Sequence, residues 1–131
     1  MGDGKLLSRK PQITQVKEAC EQKPDWFVAQ SNPCFEVWLY YHFSSKKPVF
    51  DGNEYCTNWK KLVNSSVKGG FDSRRHPIYI ETATKNAEEI FESKNETPTI
   101  GSTEVFKLSK VIFLLAGPKI KLTLKEVEKN S

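Results

Sequence analysis

Cysteine is scarce in this 131-residue sequence, and none of the three present (Cys20, Cys34 and Cys56) forms a CxxC pair or has a histidine at metal-ligand spacing. An odd count fits a disulfide framework poorly, so the chain reads as one made for a reducing, cytoplasmic setting. Long apolar runs are missing too. The longest, Val111 to Gly117, is far short of the roughly 20 residues that a membrane helix needs, and no apolar leader follows Met1, so no membrane partner is expected. Internal repeats and low-complexity tracts are absent. Charge of one sign does not dominate either: 20 Lys and Arg against 16 Asp and Glu leave +4, an excess that helps an approach to nucleic acid without requiring it.

What is present is enough apolar matter for one folded domain over residues 1–131. The sequence is 37% hydrophobic, with three Trp, four Tyr and eight Phe, and a chain of this length buries roughly two thirds of the surface exposed when unfolded. Pro11 can open a helix with Ile13, Val16 and Cys20 on one side. The short run from Asp25 to Gln30 is rich in strand formers and predicts one strand. Asn32 and Pro33 then supply a cap and a first-turn proline for a helix running to Phe43. Three further helices are expected: one behind Asp51 and Glu54, one from Pro77 to Phe91, and one from Ser102 or Thr103 that Gly117 and Pro118 should end. The ends, 1–10 and 118–131, read as flexible, although Ile120, Leu122 and Leu124 alternate like a strand and would give the lone strand a partner. Failing that, the bare strand edge invites a second copy, hence a homo-oligomer. The fold class is α/β and α-rich, with four or five helices.

From Pro33 to Tyr41 every residue except Glu36 is apolar or aromatic, so this helix should be buried, Phe35 included. Glu36 then needs a reason. Its bland role is to cap its own helix or pair with a cation, and its sharper role is that of a site carboxylate at a strand-to-helix turn. Asn32 is likewise a cap or a carboxamide that orients Glu36 or a phosphate. His42 suits a packed, hydrogen-bonded core histidine, and His76, in a basic loop, a solvated one. Cys34 and His42, eight residues apart, lie roughly 80° apart around a helix and do not make a nucleophilic pair. Lys68, Arg74 and Arg75 in a glycine-bearing loop either contact phosphate or only solubilise the surface. Ser102 and Thr103 are helix caps that also qualify as an anion site.

The block SNPCFEVWLYYHF, Ser31 to Phe43, resembles the RloB family: Ser-Asn-Pro, a small residue, Phe-Glu, a hydrophobic helix and a closing His-Phe. Weaker similarity follows at Lys68 to Tyr79, Ala83 to Glu88 and Pro98 to Leu108. The resemblance implies a partial Toprim-like domain, shorter than the family at its N-terminal side, in a bacterial anti-phage system that is restriction-linked or abortive. It implies a Mg²⁺-dependent nuclease working beside an AAA/ABC-type ATPase subunit. On that reading Glu36 and Asn32 are catalytic, Asp3 and Glu36 hold the metal, and Lys68, Arg74, Arg75, Ser102 and Thr103 contact nucleic acid. Toprim chemistry also needs an early glutamate strand and an Asp-x-Asp strand, which this sequence reduces to Asp3 at best. The alternative is a non-catalytic module that binds nucleic acid or docks on the ATPase.

Overall fold

A computed structural model describes residues 6–23 and 28–130. Five helices carry it: α1 (Leu6–Glu21), α2 (Glu36–Tyr40), α3 (Cys56–Ser66), α4 (Ile80–Ile90) and α5 (Val105–Lys129). A 3₁₀ turn, His76–Tyr79, leads into α4. Four two-residue strands make two small antiparallel pairs, β1 (Ser31–Asn32) with β4 (Ser102–Thr103) and β2 (Ser93–Lys94) with β3 (Thr97–Pro98). The molecule is therefore α-rich with minor β structure.

The core forms where the apolar stripes of α2, α3, α4 and the first turns of α5 converge. Val37, Trp38 and Tyr41 from the motif pack with Trp59, Ala83, Ala87 and Phe106. Small alanines on α4 let the large motif rings approach, the interdigitation that dense interiors require. Trp59 is fully buried and keeps its indole N–H satisfied by donating to the Asn53 carbonyl at 2.6 Å. Tyr41, equally buried, donates its hydroxyl to the Gly101 carbonyl at 2.6 Å, and its own carbonyl accepts from the Asn86 side chain at 2.9 Å. These bonds tie α2 to α4 and to the segment before α5.

Several expected boundaries move. Of the expected 25–30 strand, residues 25–27 lie outside the described residues; 28–30 carry no ladder, and pairing falls one step on, at Ser31–Asn32. Asn32 therefore does not cap α2, which begins at Glu36 behind a cis Asn32–Pro33 bond and is only five residues long. Phe35, expected inside, is 55% exposed because it precedes the helix and lies off its buried face. The 120–124 segment is no strand partner: α5 runs unbroken through Pro118 to Lys129. His76 is buried rather than solvated.

Candidate functional site

The first end of the motif is held by a segment some 70 residues downstream. Gly101 N–H donates to the Asn32 carbonyl at 2.8 Å and Glu104 N–H to the Gln30 carbonyl at 2.7 Å, while the Glu104 carboxylate accepts from Gln30 N–H at 3.0 Å. Ser31 and Thr103 share a hydroxyl bond of 2.6 Å, and the Asn32 amide donates to the Pro98 carbonyl at 2.8 Å. Gly101 sits at φ +88°, where a side chain is strained, and an added Cβ would meet Lys47 at 2.8 Å. Glycine takes this turn of the clasp without the backbone strain that a side chain would bring.

That clasp places the predicted residues. Ser102 and Thr103 are buried, with hydroxyls already engaged: Ser102 Oγ accepts from Glu92 N–H at 3.0 Å, and Thr103 Oγ1 accepts from Val105 N–H at 3.1 Å. Thr103 thus steadies the turn into α5, but neither it nor Ser102 is the cap that was expected: that position is Glu104, and α5 starts at Val105. Asn32 turns its other face inward. With its amide nitrogen fixed by Pro98, its Oδ1 is buried without a partner, as is Gln30 Oε1. Both residues line a cavity of about 250 Å³ beneath α1, with Lys17, Ser31, Asn95 and Thr97.

Glu36 lies apart from this cavity. It is half-buried in the first turn of α2 beside the Cys34 thiol: burial first, and then contact with Cys56 and Glu36, push that thiol far above its usual range. Cys34 is thus held neutral and is no thiolate nucleophile. Among the described residues no three His, Cys, Asp or Glu side chains converge as metal ligands. The Cys34 thiol is soft and held neutral, so it adds no hard oxygen beside Glu36 of the kind that Mg²⁺ prefers, and Asp3 lies outside the described residues.

The second end of the motif meets the basic loop. His42, Phe43, Lys68, Arg75, His76 and Tyr79 line a cavity of about 640 Å³. Burial holds His42 below its ordinary pKa, opposed by the backbone carbonyl bonds and reinforced by His76 nearby. Its Nδ1–H donates to the Trp38 carbonyl at 3.1 Å, one turn back. His76 Nδ1 accepts from Asp72 N–H at 2.7 Å, which puts the ring hydrogen on Nε2. Arg74 stays outside this cavity, 90% exposed and 3.6 Å from Asp72. The structure thus joins Lys68 and Arg75 to the motif, but gathers neither with Asn32 or Glu36 in one cavity. Sequence reasoning read His76 as solvated and gave Tyr79 and Phe71 no role, although aromatics interleaved with cations at 68–79 were the available signal.

Residues 3–112 match the family model described as RloB-like protein, which covers both ends of the motif, the basic loop and the clasping segment. Neither a curated protein nor a solved structure matches the chain. With the match extending over most of its length, the chain belongs to the RloB-like protein family.

Proposed function

We propose that this protein is a component of a bacterial anti-phage system, resembling the later part of a Toprim-like nuclease and acting beside an ATPase subunit. The observation that carries this is the family match over residues 3–112, which contains the whole SNPCFEVWLYYHF block. Within that frame Glu36 is the carboxylate assigned to function: among the described residues the fold uses it as a hydrogen-bond partner of the Cys34 thiol and not in an ion pair. It accepts no capping hydrogen bond in α2. Any Mg²⁺ used in cleavage would draw ligands from beyond the described residues, Asp3 included.

A second reading, nucleic-acid binding without cleavage, is favoured by the cavity that sets Lys68 and Arg75 against aromatic rings. One experiment bears on the first reading directly. Cells carrying the complete locus are challenged with phage, with the native chain and with Glu36→Gln. The variant should melt within about 4 °C of the parent, since only a surface-type dipole interaction is removed, and should restore plaque formation. Full protection by Glu36→Gln overturns the assignment of Glu36, and protection that persists without this chain overturns the function itself.

A further inference from the structure

The cavity at the second end of the motif has walls of two kinds. One wall is aromatic. Phe43 stands edge-on to His76 at 5.2 Å and to Phe71 at 5.9 Å, and His76 stacks on Tyr79 at 6.4 Å with 29° between planes. These rings brace one another, so the wall is in place before any ligand arrives. The other wall is cationic. Lys68 and Arg75 are exposed, no carboxylate lines the cavity, and neither residue forms an ion pair among the described residues. The acid of the same loop, Asp72, is engaged chiefly by Arg74, whose backbone N–H reaches its Oδ1 at 2.8 Å, and feels Arg75 only as the smallest of the charges and bonds acting on it.

Flat rings attract flat rings, and an exposed guanidinium beside an ammonium attracts phosphate, the former through a two-pronged contact. The volume, about 640 Å³, lies in the range of clefts that hold small organic ligands. We infer that this cavity binds a single nucleotide unit, its base packed on the Phe43 and Tyr79 wall and its phosphate held by Lys68 and Arg75. Gly69 and Gly70, at φ +84° and +79°, let the loop turn back sharply between the two cations and so bring Lys68 and Arg75 to the same mouth. The inference deepens the nucleic-acid reading, and the same chemistry is offered by a free mononucleotide.

The test uses the full chain with two probes, AMP and a fluorescent single-stranded decanucleotide of thymidine, in low salt. Variants are Lys68→Gln with Arg75→Gln, Tyr79→Leu to keep apolar bulk while removing the ring, and Arg74→Gln as a cation of the same loop outside the cavity. The double variant and Tyr79→Leu should each weaken binding about tenfold or more, and Arg74→Gln less than about threefold. All three should keep the parent's far-ultraviolet circular dichroism, and AMP should displace the oligonucleotide. Binding of AMP alone, lost in the double variant, supports the site and assigns it to a free nucleotide, against the nucleic-acid reading. Oligonucleotide binding that Arg74→Gln weakens as much as the double variant, or that Tyr79→Leu leaves intact, overturns the site while that reading stands. If neither probe binds, both fail.

Discussion

At the scale of single residues, His42 shows how the motif balances packing against polarity. Its ring stands edge-on to Trp38 at 5.1 Å and to Phe71 at 5.7 Å, and burial lowers its proton affinity below that of a solvated imidazole. In the unfolded chain the same ring titrates near pH 6.5, so below that value the unfolded state binds a proton that the folded state refuses. Stability is therefore full above pH 6.5 and falls with pH through the window down to the folded value. Denaturant midpoints between pH 8 and pH 5 should decline in the native protein, and His42→Phe, which keeps a ring in place, should flatten that decline. The other depressed groups do not interfere in this range. Asp72 is held down chiefly by the Arg74 amide and Glu92 chiefly by its bond to Lys47, and both start from carboxylate values of 3.8 and 4.5. An unchanged slope in His42→Phe would rule His42 out as the acid-sensitive group. The burial of His42 was legible from its spacing behind Trp38, whereas that of His76 was not. Its neighbours in sequence are Arg75 and Pro77, and it is enclosed by the rings of Phe43, Phe71 and Tyr79 that the fold gathers onto it.

At the scale of elements, helices were legible where an apolar stripe repeated, as in Trp59 with Val63 on α3 and Ala83 with Ala87 on α4. Boundaries that depended on a distant partner were not. The strand fell at Ser31–Asn32 because its partner, Ser102–Thr103, lies some 70 residues away, and no local pattern announces that pairing. Pro118 misled in the opposite direction. Proline within a helix forfeits one backbone bond and leaves the carbonyl four residues earlier without its donor. That residue is Leu114, 82% exposed, where water can satisfy the carbonyl, so α5 continues. Its two halves consequently differ in worth. Phe106 is 6% exposed and meets Phe91 edge-to-face at 5.4 Å, so Phe106→Ala should cost about 3 to 5 kcal/mol in chemical denaturation. Leu122, 62% exposed in the later half, should tolerate Leu122→Ser within about 0.5 kcal/mol. Comparable losses at both positions would mean that the later half is packed after all.

For the molecule as a whole, the stabilising contacts concentrate in one body built from the motif, α3, α4, the clasping segment and the start of α5. Backbone bonds from Gly101 and Glu104 to residues 32 and 30 close a long loop. The entropy of closing it is offset only when the core forms at the same time, so this body should unfold as one unit. The later half of α5 is held differently. Lys121 reaches Glu81 at 3.8 Å and lies over the Phe113 ring at 5.5 Å, both surface contacts of the kind that contribute little, and Leu122 and Val127 face solvent. A helix with few buried contacts opens by local fraying at a free energy far below that of global unfolding. Amide hydrogen exchange resolved along the chain should separate the two regimes. Amides of residues 37–41, 59–63, 83–90 and 106–112 should exchange together, as slowly as global unfolding permits. Those of residues 120–129 should exchange faster by at least about a hundredfold, corresponding to roughly 2.7 kcal/mol less protection. The comparison should be made in dilute solution and repeated at tenfold higher protein concentration. Fast exchange at both concentrations is the expected result for a lone helix half. Equal protection of both regions in dilute solution would defeat the division, because exposed side chains alone cannot supply it. Protection gained only on concentration would show a second copy covering those side chains, and would move the boundary of the cooperative unit from the single chain to a pair.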